Sequence, residues 1–300
     1  MPPWLVWTIL ALVSWGIWAA LSKALGDAVT PRQCQAYSTL GILPILGGLG
    51  FSEQVKIEAD LAWSIWYAFF GGLITCAGNL FYYAALARGS KVATAVSLTA
   101  LYPVVTVLLA VTVLNERLNS VQVIGLFLSL GAIWLINIAG EGSVLSSVNF
   151  LALLPIVLWG WSGFMEKVAT LTLTGETAAM FYLGAFLPVG LYFALTEPWP
   201  RGLTVNQWLI LLAVGFLLAF GNYAVLMAFA YQGKAAVIAP ITSLYPMISI
   251  PLAVLFFREW IGPREGVGIT LALLAVLALT WEFPQEVNTA RHDVVLAVGR

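Results

Sequence analysis

The sequence predicts an all-α membrane protein of ten transmembrane helices, arranged as two inverted five-helix repeats. Three observations predict it. Hydrophobic residues make up 61% of the chain and charged residues only 9%. The apolar residues gather in runs of roughly 20, the length that crosses a hydrocarbon core about 30 Å thick. The second half of the chain repeats an ordered series of polar and aromatic landmarks from the first, displaced by 143 or 144 positions.

Composition excludes a water-soluble domain, which needs roughly 25% charged residues to keep its surface wet. The mean hydropathy of +0.95 points the same way. Ten spans consume about 200 residues, so in a chain of 300 every connection is short and no folded soluble domain fits. A net charge of −1 argues against nucleic acid as a partner, which would call for a basic surface. Cys34 and Cys76 both fall in apolar runs and read as small buried hydrophobes rather than a disulfide or metal site. The start, Met-Pro-Pro-Trp, lacks the basic residues of a secretory signal, so the first span is expected to stay as an anchor.

The spans fall at about 4–25, 33–51, 61–87, 92–114, 121–139, 149–172, 176–196, 207–231, 235–257 and 263–282, separated by charged or turn residues. Residues 1–140 hold the first five, 141–282 the second five, and 283–300 form a polar tail. Helices are required, because transmembrane strands would be about 10 residues long with alternating polarity. Lys and Arg are spread evenly between the two sides, so the positive-inside rule gives no orientation.

The repeat is the most informative feature. A shift of 143 carries Gly78-Asn79 to Gly221-Asn222, Lys91 to Lys234, Thr99 to Thr242, Leu101-Tyr102-Pro103 to Leu244-Tyr245-Pro246, Glu116 to Glu259 and Gly125 to Gly268. Earlier in the chain a shift of 144 carries Trp15-Gly16 to Trp159-Gly160, Lys23 to Lys167 and Leu43-Pro44 to Leu187-Pro188. Apolar bias alone would not match Asn, Lys, Glu, Trp-Gly and Tyr-Pro in order. Five is odd, so the second copy enters the membrane from the opposite side. Inverted halves suit alternating access, since exchanging their conformations turns an inward-open state into an outward-open one.

Trp15-Gly16 with Lys23, the Pro103 span ending in Asn115-Glu116-Arg117, and Gly125 resemble one EamA-type unit; Trp159-Gly160 with Lys167, Pro246, Glu259 and Gly268 resemble a second. Over about residues 4–282 the chain is similar to ten-helix members of the drug/metabolite transporter superfamily. The resemblance implies cytoplasmic termini and a small-metabolite cargo such as an amino acid or drug-like compound, often exported. The first span departs from the related small multidrug pumps: it offers Ser14, Trp15 and Ser22 but no carboxylate, which puts proton coupling by that route in doubt.

The fourth and ninth spans carry the sharpest candidate pattern. Thr99, Tyr102 and Thr106 lie within about 60° on a helical wheel, and Thr242, Tyr245 and Ser249 repeat the stripe. Each adjoins a mid-span proline, Pro103 or Pro246, and the ninth span adds Pro240 and Pro251 as kinks. We read both stripes as facing a central pathway; the alternative is that the hydroxyls glue helices together. Asn79 and Asn222 bind cargo or pack, and Tyr83, with Tyr82, follows Asn79 where the second copy has Val225 and Leu226. That asymmetry suits a cargo with one polar and one apolar end. Trp15 and Trp159 sit mid-span, unlike interfacial anchors, and line a cavity or fill the core. Most lysines at span ends snorkel, but Lys91 and Lys234 lie near the Thr-Tyr stripes and are candidates for a polar gate. Glu166, the carboxylate most nearly within a span, would be the residue of any proton coupling.

Rival classes fit poorly. A metalloprotease needs His ligands and the only His is His292, in the tail; Asp27, Asp60 and Asp293 all fall outside the spans. No enzyme activity, metal or cofactor is expected. No filter-like segment of a channel is present in the sequence. The expected partners are a small-molecule substrate and membrane lipid, and the expected location is a bacterial inner membrane.

Overall fold

The computed structural model describes residues 1–25, 28–88, 92–137, 147–258, 263–279 and 281. The helices are α1 (Pro3–Ala24), α2 (Pro31–Ser38), α3 (Leu43–Gly50), α4 (Ala62–Ala87), α5 (Val92–Thr99), α6 (Pro103–Val113), α7 (Ser120–Asn137), α8 (Ser147–Ala169), α9 (Gly175–Gly184), α10 (Phe186–Thr196), α11 (Val205–Ala230), α12 (Ala235–Thr242), α13 (Pro246–Phe257) and α14 (Pro263–Leu279). Each predicted span falls on one helix or on a consecutive pair. Five helical runs among the described residues, 3–24, 62–87, 175–196, 205–230 and 235–257, are long and apolar enough to cross a membrane. Lys91, Glu259 and the tail lie outside the described residues.

The paired helices are spans that break, and proline explains where. Pro103 and Pro246 are the first residues of α6 and α13, so the fourth and ninth spans are interrupted at 100–102 and 243–245 rather than merely kinked. Proline suits the first helical position because its missing N–H would have no intrahelical acceptor there. Pro240 and Pro251 do lie inside α12 and α13. The second span likewise narrows to a 3₁₀ turn, Thr39–Ile42, ahead of Pro44. Matched residues also end the broken spans: Asn115 and Arg258, 143 apart, take left-handed φ of 53° and 56°.

At the start of α12 the exposed N–H groups find a carboxylate. Glu116 accepts from Ala235 N at 3.0 Å and Ala236 N at 2.9 Å, tying the end of the fourth span to the ninth. An anion at a helix N-terminus satisfies donors the helix cannot and meets the positive end of its dipole. Glu116→Ala is therefore expected to lower stability by about 1–2 kcal/mol, seen as a lower melting temperature in detergent. An unchanged melting temperature would show that solvent replaces the cap at no cost.

Helix contacts come in matched pairs. α1 packs along α11 as α8 packs along α4, α1 meets α13 as α8 meets α6, and α7 packs along α14, its own counterpart. Glycines set the closest approaches. A Cβ at Gly72 of α4 would overlap the carbonyl oxygen of Tyr182, and one at Gly215 of α11 would overlap that of Ser38. Small residues let membrane helices approach backbone to backbone, where dispersion replaces the missing hydrophobic drive. Facing outward are large apolar side chains such as Leu108, Phe127, Leu191 and Leu255, each more than half exposed. A soluble protein cannot show water so much apolar surface. The exterior is built for lipid.

Candidate functional site

Between the halves lies a cavity of about 50 Å³. One water occupies on the order of 10–15 Å³ by this measure, so a metabolite-sized guest requires the walls to part. α1 contributes Trp15 and Trp18, α4 Thr75 and Asn79, α8 Trp159 and Glu166, α9 Tyr182, α11 Asn222 and Val225, and the broken spans Tyr102, Thr242 and Tyr245.

The two mid-span tryptophans are seated by glycine. Trp15 lies against Gly221 and Trp159 against Gly78, where any Cβ would collide with the indole. Each indole thus rests on the helix that carries the paired asparagine, Asn222 or Asn79, one residue beyond the glycine. Among the described residues, neither indole N–H has a hydrogen-bond partner, nor does either amide atom of Asn79 or the Nδ2 of Asn222. Buried polar groups are rarely left unpaired, so this concentration of them around one cavity makes it the candidate site.

The Thr-Tyr stripes meet one another. Thr99 Oγ1 lies 2.6 Å from Tyr245 OH, and Thr242 Oγ1 lies 2.6 Å from Tyr102 OH. Each tyrosine hydroxyl also donates to a carbonyl of the opposite span: Tyr245 to Val96 at 3.0 Å, Tyr102 to Ala239 at 3.3 Å. These crossed bonds tie the two spans together beside their breaks, at carbonyls that also accept the N–H of Ala100 and of Ser243. Tyr102, Thr242 and Tyr245 reach the cavity, whereas Thr99 stands behind them and Thr106 donates to the Gly160 carbonyl at 2.9 Å. Ser249 is buried with no partner for its hydroxyl among the described residues and does not line the cavity. Tyr83 supports the wall from behind, accepting from Trp18 Nε1 at 3.3 Å. Lys234 sits at the far end of α12, donating to the Arg117 carbonyl at 3.1 Å beside the Glu116 cap, away from the cavity.

Two features were not singled out from sequence. One is an aromatic wall: Trp18 stacks on Tyr82 with centroids 5.0 Å apart and meets Trp159 at 6.0 Å. The other is a polar corner in which Thr75 Oγ1 donates to Ser162 Oγ at 2.7 Å and lies 2.6 Å from Tyr182 OH. Ser162 Oγ lies 3.4 Å from Glu166 Oε1, and Glu166 Oε2 has no partner among the described residues. The corner was readable as spacing: Trp159, Ser162 and Glu166 stand at i, i+3 and i+7 on α8, one helical stripe. Its counterpart on α1 is Trp15, Trp18 and Ser22. The matching positions of Thr75 and Tyr182 are Leu218 and Ser38, so the polar corner belongs to one half alone.

Comparison with known proteins agrees with this architecture. A solved crystal structure superposes with a TM-score of 0.72 over 92% of this chain and 98% of its own, at 20% identity, a likeness of fold. The uncharacterized transporter YvbV of Bacillus subtilis is 29% identical over 198 residues, and protein RarD of Streptomyces exfoliatus is 27% identical over 203. These alignments cover 62% and 64% of this chain but only 60% and 59% of the relatives' lengths. The EamA-like transporter family matches twice, over residues 2–138 and 146–281, the two halves that carry the matched tryptophans, asparagines and broken spans; the chain belongs to that family of membrane transporters.

Proposed function

We propose that this chain is a secondary transporter that moves small solutes, in the export direction, by alternating access of two inverted five-helix halves around the central cavity. One observation carries the reading: both halves build the cavity from matched elements, Trp15 with Asn222 on one side and Trp159 with Asn79 on the other. A wall made of related parts opens to either face by the same motion applied to opposite halves. The crossed Thr-Tyr bonds join the fourth and ninth spans at mid-height, where such a motion needs a pivot. The guest would have one polar and one apolar end, because Glu166, Thr75 and Tyr182 face Trp18 and Leu218. The family resemblance supports cytoplasmic termini, and the short connections favour a bacterial inner membrane as the setting.

Radiolabelled counterflow in proteoliposomes, across amino acids, sugars, nucleosides and cationic drugs, tests the reading. Saturable acceleration of tracer entry by trans solute is expected for one class, and a pore would give none. Within that assay Tyr102→Phe and Tyr245→Phe are each expected to change the rate on the order of fivefold, the equivalent of about 1 kcal/mol for one hydrogen bond. Unchanged transport of every accepted solute, with Leu at these positions as well as Phe, would remove both tyrosines from the site.

A further inference from the structure

We propose that the cavity selects a protonated organic amine with an aromatic or apolar body, its ammonium held at Glu166. The proposal rests on the cavity being the transport site and names what that site takes.

Glu166 is 3% exposed, yet it lines the cavity with one carboxylate oxygen engaged and the other unpaired among the described residues. Around the engaged oxygen, Ser162, Thr75 and Tyr182 hydrogen-bond mainly to one another and to the Gly71 carbonyl. They fix the carboxyl group in place without supplying a countercharge. Glu166 is also the one ionisable carboxylate, lysine or arginine in the described lining. Lys167 follows it on α8, but neighbouring residues on a helix do not share a face. Its Nζ donates to the Gly233 carbonyl at 2.8 Å and lies 5.8 Å from the Phe229 ring.

A buried carboxylate calls for a proton or a cation. An ammonium supplies the cation and can use the Asn79 carbonyl as well, since that oxygen is also unpaired among the described residues. Trp18 and Trp159 line the cavity with Tyr82 packed against both, and aromatic rings attract cations through their quadrupoles and pack against flat apolar bodies. A zwitterion is disfavoured. Its carboxylate would enter a low-dielectric space that presents Glu166 and only neutral donors, the two indoles and the asparagine amides.

Arylalkylamines provide a matched series. The purified protein would be titrated with 2-phenylethylamine, tryptamine and benzylamine, with the corresponding alcohols, and with phenylalanine and tryptophan as the zwitterions. Binding would be followed by tryptophan fluorescence and by thermal shift. At least one amine should bind saturably and about tenfold or more tighter than its alcohol and its zwitterion. Glu166→Gln should reduce that amine to the level of the alcohol and leave the alcohol unchanged. Amine and alcohol binding equally, a zwitterion binding best, or no amine binding at all would each overturn the proposal. Should Glu166→Gln fail to fold, the amine-to-alcohol ratio of the unaltered protein still decides. Asn79→Leu separates the two readings. An alcohol or zwitterion that binds and is weakened by Asn79→Leu leaves the cavity as the site and removes only the amine. Amine binding indifferent to both substitutions removes the cavity itself.

Discussion

Gly215→Val should leave almost no monodisperse protein after detergent extraction, and Gly72→Val should match it. At both positions the glycine Cα faces a backbone carbonyl, that of Ser38 or Tyr182, so the added atoms meet main chain rather than a side chain able to swing aside. Overpacking costs about 1–3 kcal/mol when side chains can adjust, and a crossing fixed by two backbones belongs at or above the top of that range. Gly131 on α7 is the control, because a Cβ there meets nothing within 4 Å. Gly131→Ala should be neutral or stabilising by up to about 1 kcal/mol, the gain expected from replacing glycine within a helix. Size-exclusion profiles and melting temperatures of the three variants decide the matter. Equal tolerance at 131 and 215 would mean that the helices separate easily at the crossing.

Asn79→Leu is expected to move stability and transport in opposite directions. Asn79 is fully buried and both its amide atoms lack partners among the described residues. Removing an unsatisfied buried polar group relieves a cost on the order of 1–3 kcal/mol, so the melting temperature should hold or rise. Counterflow should fall about tenfold or more, the loss of one polar contact to a desolvated guest. Residues kept against stability are commonly kept for activity. A lower melting temperature with intact transport would instead make Asn79 a packing residue.

Much of this was legible in the chain before any coordinates. The pairing of Trp15 with Trp159 and Asn79 with Asn222 follows from the displaced match, and all four line one cavity. The breaks at Pro103 and Pro246 were legible as positions but not as full interruptions. Proline removes a donor wherever it falls, yet whether a helix bends or stops depends on what receives the freed carbonyls, here the turn itself, with Tyr102 N donating to Thr99 at 3.1 Å and Tyr245 N to Thr242 at 3.2 Å. Lys234 looked close to the Thr-Tyr stripe on a wheel, but angle says nothing about height, and its ammonium lies at the helix end. Glu166 was singled out as a carboxylate within a span, but Tyr182 and the rest of its surroundings were hidden for a related reason. Their company comes from three helices, α4, α8 and α9, and periodicity along one helix cannot reveal which neighbour turns toward it.

The contact of α7 with α14 differs in kind from the others, because the shift that relates the halves maps this pair onto itself. Gly125 of α7 fits against Leu279 and Ala278, and Asn119 donates to the Trp281 carbonyl at 2.9 Å. A surface that meets its own counterpart across a two-fold axis is self-complementary, as in a symmetric dimer. A chain of five spans with that surface would need no second gene to find a partner; another copy inserted the other way up would serve. With both halves in one chain each is free to differ from the other, and a carboxylate at 166 where the matched position 22 holds serine is a difference that two identical copies could not keep.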